Sequence, residues 1–196
     1  IFAVEGFIEA AKRLIELHAE LLKNGPVPEL NLGGGFGVSY TEQDKPAQIE
    51  AIAYAITETV EAECVKRGID VPALAFEPGR YIVGPAGITI YNVGTTKDVK
   101  VEETASRKYV SIDGGMSDNA RPALYEADYS VTLASRESTA EPVISRVVGK
   151  HCESGDIVVR DAFLPEDVSP NDLLAVAVTG AYCFSLASNY NYLARP

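Results

Sequence analysis

The stretch "PELNLGGGFGV", residues 28–38, decides the fold. A short apolar run passes directly into consecutive glycines, the pattern of a buried strand entering a tight loop. Upstream, Phe7, Ile8, Ala11, Leu14, Ile15, Leu17, His18, Leu21 and Leu22 recur at helical spacing, and "NGP" at 24–26 ends that helix. Downstream, "DKPAQIEAIAYAITETVEAECVKRG", 44–68, predicts a second helix with Asp44 as its cap, Pro46 in the first turn and Gly68 as its stop. "PALAFEPGRYIV", 72–83, is a second strand with a turn at its end. The order α–β–α–β implies parallel strands joined by helical crossovers, as in a barrel or a doubly wound sheet.

After Pro85 the texture changes. "AGITIYNVGTTKDVKV", "KYVSIDGG", "YSVTLAS", "PVISRVVGK", "DIVVRDAFL" and "DLLAVAVTGAY" are β-branched runs separated by Gly, Asp, Asn and Pro. Helical turns are expected only around "ARPALYEA" and "CFSLASNYN". This part reads as an antiparallel β-domain. The fold class is α/β plus all-β, with the domains expected at 1–85 and 86–196. Neither internal repeats nor low-complexity tracts interrupt it.

The bulk composition excludes several function classes. A formal net charge of -11 over 196 residues argues against general affinity for nucleic acid or anionic membrane, which needs a basic surface. Cys64, Cys152 and Cys183 are odd in number and have no paired spacing, so neither a disulfide scaffold nor a zinc site is expected, and no metal ligand is assigned. A thiol-reducing compartment, the cytoplasm, is the expected location. The chain opens inside an amphipathic helix without Met, and the expectation is a fragment of a longer protein.

Five polar clusters carry chemistry. In "LGGGFG", 32–37, glycines without Cβ let backbone N–H groups approach an anion, a phosphate above all; the bland alternative is a tight turn needing positive φ. Its spacing is not that of a dinucleotide-binding fingerprint. In "FEPGRYIVGPAG", Glu77 and Arg80 flank a Pro-Gly turn at a strand end, either lining a site or bracing the turn as a local pair. In "DGGMSDNARPALYEA", Arg121 and Tyr125 lie four apart, suited to a carboxylate or merely stacked on the surface. "CESGD" puts Cys152 beside Glu153, with Asp156 near; a neighbouring carboxylate favours the protonated thiol, which suits a proton donor better than a nucleophile. The alternative there is an incidental cysteine at a hairpin tip. In "TGAYCFSLASNYN", Tyr182 follows a Gly-Ala turn, where an aromatic either packs in a core or flanks a planar cofactor.

Each cluster alone is weak, but "LNLGGGFGVSY", "EPGRYIVGPAG", "DGGMSDNARPALY", "CESGD" and "GAYCFSLASNYN" in this order resemble the successive motifs of the diaminopimelate decarboxylases. These belong to the pyridoxal-phosphate enzymes of the alanine-racemase-like, fold-type III group, and they make lysine from meso-diaminopimelate. The resemblance runs over the whole chain. Relatives that act on ornithine, arginine or carboxynorspermidine share the glycine loop and the "EPGR" turn, whereas "RPALY" with "CESGD" points to diaminopimelate. A non-catalytic regulatory relative would have no need of the "CESGD" proton donor.

The resemblance implies the last part of a (β/α)8 TIM barrel followed by an antiparallel β-barrel or sandwich domain, in a homodimer with active sites at the interface. It implies pyridoxal 5'-phosphate as cofactor. Gly34, Gly35, Pro78, Gly79 and Arg80 would surround the phosphate, Glu77 would face the pyridine nitrogen, and Tyr182 would sit near the ring. Arg80, Arg121 and Tyr125 would bind the distal carboxylate of the substrate, Glu153 its distal ammonium, with Tyr182 beside them. Cys152 would protonate the carbon that loses CO2, acting from the partner subunit. The cofactor-bearing lysine and a stacking histidine belong to a preceding segment whose motifs do not occur in this sequence, so the chain alone is expected to be inactive.

Overall fold

A computed structural model describes residues 3–101 and 105–195. The chain divides into two compact units, one built from residues up to Ser39 with Gln43–Ile82, the other from Tyr40–Glu42 with residues from Val83 onward.

In the first unit, α1 (Val4–Leu21) precedes β1 (Glu29–Gly34), and α2 (Ile49–Arg67) precedes β2 (Ala73–Glu77), which leads into the short α3 (Gly79–Val83). β1 and β2 pair in parallel, with α2 as the crossover. The two helices bury stripes at three- or four-residue spacing: Phe7, Ala11, Ile15 and His18 on α1, Ile52, Ile56, Val60 and Cys64 on α2. Leu30 and Phe36 complete this core, with Phe7 stacked on Phe36 at 5.0 Å between ring centroids. Burial of each such aliphatic side chain contributes about 1.5–3 kcal/mol. Gly68 ends α2 at φ 65°, with its own N–H and that of Ile69 closing on the carbonyls of Val65 and Cys64. Asp44 is not the cap of α2. The helix starts at Ile49 with Gln48 extended before it, because Pro46 disfavours helical backbone at Lys45 and keeps this segment open.

The second unit is a six-stranded sheet. Its strands are β3 (Ile88–Lys100), β4 (Ser106–Ile112), β5 (Val131–Leu133), β6 (Pro142–Val148), β7 (Ile157–Pro165) and β8 (Leu173–Ala177). Their spatial order is β5-β8-β3-β4-β6-β7. β5 and β7, the two edges, also approach each other, so the sheet is barrel-like and nearly closed. The long β3 serves both halves: Ile88–Asn92 pair with β8, Val93–Lys100 with β4, and an irregularity at Val93–Thr96 bends the strand between them. Inward residues alternate along the strands, with Val110, Val147, Leu164, Leu174 and Val176 fully buried.

The expectation of an antiparallel domain is corrected here. β4 and β6 run parallel, making the sheet mixed. The segment between them, 113–141, holds the helix α4 (Arg121–Tyr125) and β5, and it is long enough to return the chain to the starting end. The expected helical turns are α4 and α5 (Cys183–Leu186).

Asp172 closes one end of this sheet. It accepts Nε and Nη2 of Arg136 at 2.9 Å each and the Ser135 hydroxyl at 3.0 Å, while Arg136 also reaches Asp167 at 2.9 Å. The Arg136 guanidinium holds the Asp172 carboxyl well below the usual carboxylate range. A lowered folded value means this stabilisation is complete above the unfolded value near pH 4 and fades as pH falls through the folded one. Asp172→Asn is therefore expected to destabilise the protein by about 2 kcal/mol at pH 7. In thermal melts, the gap between wild type and variant should shrink steadily below roughly pH 4.

Candidate functional site

The residues singled out by sequence are shared between the two units. In the first, Gly34 ends β1 and Glu77 ends β2, and the two are register partners. Asn31 ties them together: its Nδ2 donates to Glu77 Oε1 at 2.9 Å, and its Oδ1 accepts the Gly33 N–H at 2.7 Å. A Cβ on Gly34 would stand 2.1 Å from the Glu77 carbonyl oxygen, so only glycine lets the loop lie against the end of β2. Pro78, Gly79 and Arg80 follow at once, Gly79 and Arg80 opening α3. Glycine-loop backbone, an exposed carboxylate and the turn "PGR" are thus gathered at the C-terminal ends of two parallel strands, the usual position of sites in α/β folds.

In the second unit Arg121 begins α4 and is 8% exposed. Its Nη1 donates to the Tyr129 hydroxyl at 2.6 Å. Its guanidinium carbon lies 4.7 Å from the Tyr40 ring centroid and 5.7 Å from those of Tyr129 and Tyr182. Burial opposes this charge, but the Tyr129 and Tyr40 phenols outweigh it and hold the guanidinium above its usual range. Burial raises the Tyr129 phenol itself well above a free tyrosine, so it stays a neutral hydroxyl that can also meet the Cys183 sulfur at 3.7 Å. Arg121 and Tyr182 are therefore brought together. Tyr182 carries a left-handed backbone, φ 68°, at the cap of α5, a conformation that costs a non-glycine residue about 1–3 kcal/mol. Tyr125, one turn after Arg121, projects into solvent at 65% exposed.

Cys152 and Glu153 sit on the exposed loop between β6 and β7. The Glu153 carboxylate accepts the Tyr190 hydroxyl, which raises that phenol. The Tyr190 ring meets His151 edge-on at 5.2 Å between centroids. The other side chains in this group are ones sequence reasoning missed. Tyr40 and Tyr129 lie 81 and 8 positions from Arg121, and Tyr190 lies 37 from Glu153, and no motif spacing links them. Among the described residues no cluster of His, Cys, Asp and Glu could hold a metal, and all three cysteines are free thiols. No helix among them is long and apolar enough to cross a membrane.

Residues 40–180 match the family model for the C-terminal sheet domain of pyridoxal-dependent decarboxylases. The whole chain is 52% identical to the diaminopimelate decarboxylase of Mycobacterium tuberculosis strain H37Rv, of which it covers 45%. Among solved structures, diaminopimelate decarboxylase from M. jannaschii in complex with L-lysine aligns over the whole chain and 43% of its own, with TM-score 0.87 and 33% identity. The Helicobacter pylori enzyme, also with L-lysine, aligns over the whole chain and 45% of its own at TM-score 0.83 and 31% identity. The chain thus spans less than half the length of the relatives it matches. With a model matched across the entire sheet unit from Tyr40 through β8, this chain belongs to the pyridoxal-dependent decarboxylase family.

Proposed function

We propose that the protein containing this chain decarboxylates meso-2,6-diaminopimelate to L-lysine and CO2, with pyridoxal 5'-phosphate as cofactor, in lysine biosynthesis. The observation that carries the reading is Arg121: a buried guanidinium caged by phenol rings, with a hydroxyl as its hydrogen-bond partner. Such a cation is prepared for a carboxylate brought by a ligand. The distal end of diaminopimelate supplies that carboxylate, together with an ammonium for Glu153. Ornithine has no distal carboxylate and would leave the arginine unmatched in a desolvated pocket. The names of the relatives and the L-lysine held by two related structures support the same substrate.

The first unit fits the cofactor. The glycine loop lies so close to β2 that any Cβ at Gly34 would strike the Glu77 carbonyl, which leaves a side-chain-free cradle beside a carboxylate braced by Asn31. Backbone groups of Gly34, Gly35, Gly79 and Arg80, next to Pro78, would hold its phosphate. Glu77 would keep a proton on the pyridine nitrogen. The chemistry supplied by the bound cofactor is withdrawal of the electron pair left behind as CO2 departs. Arg80, Arg121 and Tyr125 then fix the distal carboxylate and Glu153 the distal ammonium, so the reacting end is held in register. Tyr182 would sit near the cofactor ring and beside the distal end of the substrate. The Cys152 thiol gives its proton to the carbon that lost CO2, with the Cys152–Glu153 loop reaching a neighbouring subunit's site.

We extend the reading to architecture. Residues 1–85 form the last part of a cofactor-binding (β/α)8 barrel and 86–196 the β-domain, in a homodimer. Exposed apolar side chains on the site segments, Leu124, Tyr125, Phe184 and Tyr192 among them, suit a subunit interface. Free thiols throughout suit the cytoplasm.

The test is CO2 release by the full-length protein with pyridoxal phosphate on meso-diaminopimelate, ornithine and arginine side by side. Strong preference for diaminopimelate is expected; preference for ornithine or arginine would reject the distal-site assignment of Arg121 and Glu153. In the same protein, Cys152→Ala should lower kcat by about 10²–10⁴-fold. Cofactor absorbance should be retained, and unaltered turnover would remove Cys152 from the proton-donor role.

A further inference from the structure

"CESGD" ends in a carboxylate with no role so far. Asp156 is 3% exposed, unlike the four residues before it. Its two oxygens take two backbone donors from different segments: Oδ1 accepts the Met116 N–H at 2.6 Å, and Oδ2 accepts the His151 N–H at 2.8 Å. Its own backbone closes the loop, accepting from Gly149 at 2.8 Å and donating to the Glu153 carbonyl at 3.1 Å.

The carboxylate rests directly on two glycines. A Cβ on Gly115 would lie 2.6 Å from Oδ1, and one on Gly149 would lie 2.1 Å from Oδ2. Both glycines are therefore shaped around Asp156. Two further bonds join the same segments: Lys150 N–H to the Gly114 carbonyl at 2.9 Å, and His151 Nε2 to the Ser117 hydroxyl at 2.9 Å. The Ser117 carbonyl also accepts the Ser188 N–H at 2.8 Å, drawing in the stretch that carries Tyr190.

We propose that Asp156 is the positioning residue for Cys152 and Glu153, pinning their loop to the 113–119 segment that leads into Arg121. This rests on the decarboxylase reading given above. Asp156 touches neither substrate nor cofactor in it. Its work is to fix the exposed proton donor and the ammonium-binding carboxylate in one frame with the buried guanidinium. The arrangement needs two acceptor oxygens. An asparagine would turn an NH2 group toward one of the two backbone donors and break that arm of the pin, while keeping size and shape.

The experiment uses the full-length, cofactor-loaded protein as wild type, Asp156→Asn and Ser117→Ala. kcat and KM for meso-diaminopimelate are read alongside amide hydrogen exchange. Asp156→Asn should lower kcat by about tenfold or more and raise KM several-fold, because the donor and the ammonium site drift together. Exchange of amides 150–155 should quicken by about tenfold, while those of Val147 and Val159 on the flanking strands hold their rates. Ser117→Ala, which removes one side-chain contact, should shift the same readouts in the same direction by a smaller factor, and it carries the test if Asp156→Asn does not fold. Unchanged kcat and KM with unchanged exchange at 150–155 would overturn the proposal, as would exchange quickened evenly across the sheet. Should wild type not act on diaminopimelate, the substrate reading falls, and the exchange pattern still decides whether Asp156 pins the loop.

Discussion

The parallel pairing of β4 with β6 is the constraint on which the second unit's site depends. Adjacent parallel strands end at the same side of a sheet. The segments leaving Ile112 and Val148 therefore depart next to each other, although 36 positions separate those two residues. One runs through 113–119 into Arg121, the other through His151 to Cys152 and Glu153. An antiparallel pairing at this place would send the two to opposite ends of the strands, and no loop chemistry could reunite them.

Juxtaposition alone does not order two loops, since each carries backbone donors that need partners. Buried acceptors supply them. Asp118 takes the Gly115 N–H at 2.7 Å and the Tyr91 hydroxyl. Burial first, and then Asp118, push the Tyr91 phenol far above its free value, so at neutral pH it is a hydroxyl that donates. Asp113 holds the start of the same segment, accepting from the Asn92 backbone and side chain at 2.9 Å each. Asp118 thus serves as a buried acceptor for an N–H group of an irregular segment, while Asp113 fastens the start of that segment to β3. That explains why the Asp118 carboxylate is packed inward, where carboxylates are otherwise unwelcome.

Much of the first unit was legible in sequence because its information is local. Four-residue apolar spacing, glycine stops and short β-branched runs each act within a few positions, and the helices and strands follow them. The start of α2 was misplaced for an equally local reason: the influence of Pro46 on Lys45 outweighed the capping ability of Asp44. The strands of the second unit were legible one by one, but their partners were not. The pairing of β4 with β6 depends on how a 29-residue connection folds back, and nothing in either strand encodes direction. Likewise Arg121 was visible within "RPALY", whereas its cage of Tyr40, Tyr129 and Tyr182 is assembled from three separate segments that no motif spacing links. Asp156 was visible as a carboxylate, but its function as an acceptor emerges only once Met116 and His151 face it.

Two arginines in the same unit show why the surroundings of a residue, more than its type, mark a site. Arg136 gives Nε and Nη2 to Asp172, Nη1 to the Asp167 carboxylate and a further N–H to the Asp167 carbonyl. Its charge and its planar fork are both consumed inside the fold, and it has nothing to offer a ligand. Arg121 is more deeply buried, yet it rests on ring faces and a phenol hydroxyl. Aromatic faces ease desolvation of a cation without cancelling its charge. A carboxylate partner would have done both. A guanidinium kept charged and dry, with no carboxylate bonded to it among the described residues, is poorly explained as a stabilising device, because an apolar side chain of like size would serve that purpose as well. It is well explained as one half of an ion pair whose other half arrives with the substrate, which is the reading proposed for this protein.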